Sequence, residues 1–373
     1  MVQCGQDTTG AQSRSRLMQP AALLRHLAFA ALLAGLSALV VRAMIRVRVM
    51  DVPDAGPQAR KAHTRPTPKG GGVGIVVAFL VGVLVLYQFA AFARLAEPYF
   101  RGVILAAAAI AAVAFLDDLR DWPFFVKLAA QILAALAAVA SGLSVSLFTL
   151  PGFGPVDVGW LGGAALTTAW VLFATNAMNF IDGMDGLAGG VALIAGGFLA
   201  GIAAAAGGWF VYFAALLLVA GLAGFLPFNF PHARIFMGDV GSQFCGFVLA
   251  VLGVAAARFE AVPLSFLLVP LLLHAVLFDV ALTLARRTLA GARITAPHRG
   301  HLYQLAQRSC LLSTPGIALL YWVCTAYGGV LCLAFLAAPP VWRLPIALAT
   351  LPPQLLWATL VLRRAHRAGL LPG

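Results

Sequence analysis

Charge is what this chain has least of. Of its 373 residues only 13 are Asp or Glu, and the four charged types together make up 10% of it. A soluble domain devotes about a quarter of its residues to charge, so a water-facing surface over the whole chain is excluded. Cysteine is also sparse. Cys4, Cys245, Cys310, Cys324 and Cys332 stand without a CxxC pair, which argues against a disulfide framework and against a cysteine metal site. Long polar segments are missing too: the longest candidate loops, residues 46–71 and 286–312, leave no room for a soluble domain, and no internal repeat is evident.

What fills the chain instead is hydrophobic, at 62% of residues with a mean hydropathy of +0.94. Because a span needs roughly 20 apolar residues, the sequence predicts an all-α polytopic membrane protein. Runs centred near Leu33, Gly82, Ala109, Ala137, Leu172, Phe198, Leu217, Ala250, Leu272, Thr325 and Thr350 give about eleven transmembrane helices. Residues 1–20 are expected to be a disordered tail and 21–373 a single transmembrane domain. The first helix is followed by VVRAMIRVRV instead of a small-residue cleavage site, so it reads as a retained span.

The net charge of +12 is confined to short loops beside spans. It therefore reads as membrane topology and attraction to anionic lipid, with no nucleic-acid partner. Placing the loop with Arg60, Lys61, Arg65 and Lys69 in the cytoplasm puts most of the 25 Lys and Arg on that side. The amino terminus is then periplasmic and the carboxyl terminus cytoplasmic. External loops such as LPGFGPVDVGW are chemically quiet. Function is expected on the cytoplasmic face.

Three acidic motifs end or begin spans. Asp117 and Asp118, in AFLDDLRDW, close a helix at the end where its dipole is negative, and they repel each other by about 3 kcal/mol at ~5 Å and an effective dielectric of ~20. A divalent cation would reverse that cost, and Asp121 completes a DDxxD spacing suited to Mg²⁺-diphosphate chemistry. Arg120 and Lys127 are the ordinary partners for a solvated helix end. In NAMNFIDGMDGLAGG, helical geometry puts Asn176, Asn179 and Asp182 on one stripe. Gly183 and Gly186 are expected to end that helix and let backbone approach a phosphate or sugar, with Asp182 and Asp185 supplying oxygens. Asp239, in FMGDVGS, could be a simple turn or N-cap. If the motifs converge, it holds Mg²⁺ together with Asp117 or Asp118, since magnesium takes few carboxylates and completes its shell with phosphate and water. Asn229 is an unpaired polar residue at the same edge.

Two basic loops frame these acids. RKAHTRPTPKGGG offers Lys61, His63 and Lys69 beside a glycine run whose N–H groups suit phosphate. APHRGHLYQ carries His298, Arg299 and His301, a set better matched to phosphate than to zinc. Asp279 stands inside an apolar span about two turns before Arg286, and it is expected to pair with that arginine or to line a polar cavity, without a catalytic role.

The order RKAHTRPTPKGGG, LDDLRD, NAMNFIDGMDGLAGG, FMGDVGS and HRGHLYQ resembles the polyprenyl-phosphate N-acetylhexosamine-1-phosphate transferases, over roughly residues 45–310. The resemblance implies transfer of a sugar-1-phosphate from a UDP-N-acetylhexosamine to undecaprenyl phosphate in the bacterial inner membrane, with release of UMP. It implies Asp117 and Asp118 as catalytic, Asn176, Asn179, Asp182, Asp185 and Asn229 as the nucleotide-sugar site, and Asp239 with Asp118 as the Mg²⁺ site, Mn²⁺ serving as a substitute. Lys61, His63, Lys69, His298, Arg299 and His301 would bind phosphate, and a homodimer fits the family. The peptidoglycan member has three consecutive histidines where this chain has HRGH. That departure speaks against a muramoyl-pentapeptide donor and for an O-antigen or capsule initiator. An intramembrane prenyltransferase would account for DDxxD but poorly for FMGDVGS and HRGHLYQ. A lipid-linked sugar transporter would place its polar groups near the bilayer midplane and not at helix ends.

Overall fold

The computed structural model describes residues 20–51, 66–89, 97–120, 122–150, 154–258, 264–293 and 298–371. Residues 1–19 of the expected tail, Arg60, Lys61, His63, Arg65 and Asp121 lie outside these residues, and Pro20 already opens a helix.

Helices dominate. In chain order they are α1 Pro20–Val47, α2 Gly72–Phe89, α3 Glu97–Arg120, α4 Phe124–Ala140, α5 Gly159–Ile181, α6 Leu187–Ala206 and α7 Trp209–Phe225. After a 3₁₀ turn at Leu226–Phe228 come α8 Gly238–Arg258, α9 Leu268–Leu272, α10 His274–Leu289, α11 Leu302–Arg308, α12 Thr314–Ala337, α13 Pro340–Leu348 and α14 Leu351–Arg367. The only strands among the described residues form two antiparallel hairpins, β1 Met50–Asp51 with β2 Thr67–Pro68, and β3 Leu147–Leu150 with β4 Gly154–Asp157.

Nine candidate spans are long and apolar enough to cross a membrane among the described residues. The remaining expected spans take other forms. The run near Ala137 is α4, with 17 residues, and the run near Leu272 is broken between α9 and α10. The run near Thr350, by contrast, is one of the nine, formed jointly by α13 and α14. A bilayer removes the hydrophobic drive for helices to associate, so packing depends on small residues that let backbones approach. Gly246 of α8 packs in this way against the backbone of Thr175 in α5.

The most enclosed helix is α8, whose residues from Val240 to Ala256 are all buried. It packs chiefly on α5 and α3, and also on α2. By contrast α1 leaves Leu24, Leu32 and Leu39 exposed, as lipid-facing surface requires. The acidic ends of α3 and α5 and the first turns of α4 and α8 meet at one end of the bundle. Met44 of α1 reaches Gly70 there, and Arg364 of α14 donates to the Ser309 carbonyl at 3.3 Å.

Candidate active site

Two helix termini of opposite polarity create the centre. Asp118 lies in the last turn of α3, where a carboxylate is disfavoured, but its Oδ2 reaches the Val240 N–H in the first turn of α8 at 3.4 Å. The positive end of α8 thus compensates the negative end of α3. Gly238, at φ +75°, opens α8, and a β-carbon there would sit 2.8 Å from Asp118 Oδ2. Only glycine takes this turn without strain and without crowding the carboxylate.

Cations complete the arrangement. Lys127, in the first turn of α4, places its Nζ 2.8 Å from Asp117 Oδ2 and 3.3 Å from Asp239 Oδ2. Lys69 lies 3.5 Å from Asp118 Oδ1. Asp117 is 4% exposed, and its Oδ1 accepts the Trp122 N–H at 2.8 Å. The expected partner Lys127 is therefore confirmed for Asp117, but it bridges two motifs instead of neutralising one helix end.

Asp182 caps the end of α5. Among the described residues its carboxylate accepts no hydrogen bond, and burial first, then the charges of Asp239 and Asp118, hold its pKa well above the usual carboxylate range. Asn179 donates to Ser242 Oγ at 3.2 Å. Asn176 donates to Gln131 Oε1 at 2.7 Å and to the Leu172 carbonyl at 2.8 Å. Asp185 accepts the Ala233 N–H at 3.0 Å. Asn229, 3% exposed, spends its amide on the Gly186 N–H and the Ile235 carbonyl, which braces the loop facing Gly186.

Three local expectations are corrected. First, Gly71 and Gly72 donate their N–H groups to the carbonyls of Phe236 and Met237 at 2.9 Å each, so these are not phosphate donors. A β-carbon on Gly72 would lie 2.3 Å from the Gly241 Cα, which makes the glycine run a packing device that carries Lys69 to the acids. Second, Gly183 follows the Asp182 C-cap of α5 as expected, but Gly186, at φ +73°, opens α6 instead of ending α5. The Tyr303 hydroxyl lies over Gly183, and the Gly186 carbonyl accepts Trp322 Nε1–H at 3.1 Å.

Third, Asp279 does not pair with Arg286 by hydrogen bonding. It is fully buried and accepts the Leu302 and Tyr303 N–H groups, Thr283, Tyr321 at 2.6 Å and His301 Nδ1 at 3.2 Å. It thereby caps α11 from another helix and fixes the histidine loop. His301 stacks on His298 with ring centres 5.0 Å apart. His298 is pushed down to about 4, by burial first and then by His301 and Arg287, so its ring is neutral near pH 7. His298 Nδ1 accepts the Gly300 N–H at 3.2 Å, and Arg308 donates to the Arg299 carbonyl at 3.2 Å. Replacing Asp279 with Ala is expected to destabilise by more than about 2 kcal/mol, the upper range for one helix cap, because further buried donors lose their acceptor. Thermal unfolding of the detergent-solubilised protein checks this, and an unchanged midpoint contradicts it.

Among the described residues no three His, Cys, Asp or Glu side chains form a self-sufficient metal site. The donor set nevertheless suits a hard cation. Asp118 and Asp239 offer carboxylate oxygens, Asp239 is 30% exposed, and its Oδ1 takes no hydrogen bond from the described residues. Magnesium commonly binds one or two carboxylates and completes its octahedron with phosphate and water.

Lys127, Gln131 and Gln243 are the polar residues that motif reading passed over as site residues. A signal existed: Lys127 and Gln131, like Asp239 and Gln243, stand four apart on otherwise apolar helices, one above the other on a single face.

A helical membrane bundle in which Asp117, Asp118 and Asp239 meet Lys69 and Lys127 at one end has the charge pattern of an integral membrane protein that handles phosphate. Residues 100–257, which contain all three aspartate motifs, match the model for glycosyl transferase family 4. The chain is 30% identical over 267 residues to a probable undecaprenyl-phosphate N-acetylglucosaminyl 1-phosphate transferase of Bacillus subtilis, covering 71% of each chain. It is 33% identical to the decaprenyl-phosphate N-acetylglucosaminephosphotransferase of Mycobacterium tuberculosis over 67% of each, and 31% identical to that of Mycolicibacterium smegmatis over 75% of each. The chain belongs to this family, the polyprenyl-phosphate sugar-1-phosphate transferases.

Proposed function

We propose that the chain transfers an N-acetylhexosamine-1-phosphate, with N-acetylglucosamine the leading candidate, from its UDP derivative to undecaprenyl phosphate. An oxygen of the lipid phosphate attacks the donor's β-phosphorus, the bond from that phosphorus to the bridging oxygen breaks, and UMP leaves. The observation that carries the reading is the meeting of Asp117, Asp118 and Asp239, distant in sequence, around Lys69 and Lys127. The relatives' named sugar supports N-acetylglucosamine.

Such a transfer needs alignment and charge neutralisation more than covalent help. Lys127, held by Asp117, lies toward the reacting phosphates, and Lys69 does the same from Asp118. Asp118 and Asp239 would hold Mg²⁺, which supplies positive charge to the diphosphate. Asn179, Asp182 and Asp185 line the nucleotide side, with Asn229 bracing their loop. His298, Arg299 and His301 would meet phosphate from the loop that Asp279 fixes beside the end of α5.

Basic residues crowd the acid end, including Lys69, Arg286, Arg287, Arg299 and Arg364, which supports a cytoplasmic site. The amino terminus is then periplasmic and the carboxyl terminus cytoplasmic, in the inner membrane. The product would start O-antigen, capsule or a related envelope polysaccharide, and a homodimer is the expected assembly.

The test is UMP release and labelled-lipid formation with purified protein, undecaprenyl phosphate and a panel of UDP-N-acetylhexosamines. UDP-N-acetylglucosamine is expected to give the highest kcat/KM. Absence of UMP with every donor would reject the transfer, and preference for another epimer would reject only the sugar.

A further inference from the structure

Gln131 and Gln243 sit within membrane helices at 4% and 3% exposure, where buried amides persist only with partners. Gln243 Nε2 donates to Asp239 Oδ2 at 3.2 Å, and Gln131 Nε2 donates to Gln243 Oε1 at 3.0 Å. Asn176 Nδ2 in turn donates to Gln131 Oε1 at 2.7 Å, with a reverse contact from Gln131 to Asn176 Oδ1 at 3.4 Å. The carboxylate dictates the direction of this chain. An ionised Asp239 can only accept, so Gln243 must show it an NH₂, which turns the Gln243 carbonyl to Gln131 and, by the same step, the Gln131 carbonyl to Asn176.

We infer that Gln131 and Gln243, backed by Asn176, are positioning residues for the transfer reaction: a head-to-tail amide relay that pins Asp239 Oδ2 and leaves Oδ1 for the ligand. The inference rests on the reading of Asp239 given above. It also gives Asn176 a supporting task in place of direct nucleotide contact. Amides serving only as glue between helices would need no common polarity and no ionised terminus. Here the last acceptor is charged, which strengthens the bonds behind it. The register is built in, because α4 and α8 both start at the acid end and the four-residue steps from Lys127 to Gln131 and from Asp239 to Gln243 advance together.

The test is the double variant Gln131→Leu/Gln243→Leu, which removes both amides and leaves neither orphaned by the other. Mn²⁺ binding to the solubilised protein, followed by electron paramagnetic resonance without substrate, and kcat for UMP release are measured beside wild type. Mn²⁺ affinity and kcat are expected to fall about 10–100-fold, the usual effect of losing partners behind a ligand, with KM for the UDP-sugar unchanged. Wild-type Mn²⁺ affinity and kcat in a folded double variant would overturn the relay. Should that variant fail to fold, Gln243→Asn, which keeps an amide but shortens its reach, is measured instead against the same two criteria. The underlying reading fails separately: wild-type protein that turns over yet binds no Mn²⁺ removes Asp239 as a metal ligand, and an unchanged kcat in the variant still decides the relay.

Discussion

Asp239→Asn is expected to abolish turnover while leaving the bundle folded. The asparagine keeps a carbonyl that can accept from Gln243 and Lys127, the two groups now on Oδ2, so the packing of α8 against α4 has no reason to change. What is lost is the negative charge, which the proposed divalent-cation site would need from Asp239 beside Asp118. UMP release should drop below detection in protein that elutes and melts like wild type. Near-normal activity in the purified variant would refute a metal role for Asp239 and with it the charge-neutralisation mechanism.

Lys127→Met comes second in expected effect. Lys127 contacts both Asp117 and Asp239, and methionine preserves much of its length and apolar stem while removing the charge. Two carboxylates would then face each other without their shared cation. A preorganised positive group lost from a transition state of developing negative charge costs about 10²–10³-fold in kcat. Thermal stability should fall as well, because partners left unpaired in a low-dielectric setting are costly. Lys127→Arg, which retains charge, is expected to recover part of the rate. If Met and Arg variants lose activity equally, Lys127 acts through its shape and not its charge.

The second prediction depends on a residue the motifs did not rank. Sequence reading placed Lys127 as an ordinary counter-ion, and its link to Asp239 crosses 112 positions of chain. The aspartates themselves were legible because carboxylates at the ends of apolar runs are expensive and stand out. Gln131 and Gln243 were not, since a single amide in a span is unremarkable until its neighbour is known. For Asp279 the sequence suggests Arg286, by proximity along a helix, or a polar cavity, whereas the fold brings in the N-terminus of α11 and His301.

Composition and hydropathy by themselves determined that this is a helical membrane protein, because burying backbone polar groups in lipid leaves a long apolar run few options other than a helix. The ordered acidic motifs likewise pointed to phosphate chemistry at the ends of the spans. Only the tertiary structure decided what each polar group does: that the glycine run packs on α8, that Asn229 braces a loop, and that one lysine joins two acids. The physical reason is range. Hydropathy and helix periodicity are properties of neighbouring residues, whereas a hydrogen bond or ion pair is fixed by the crossing and register of helices that the chain brings together from far apart.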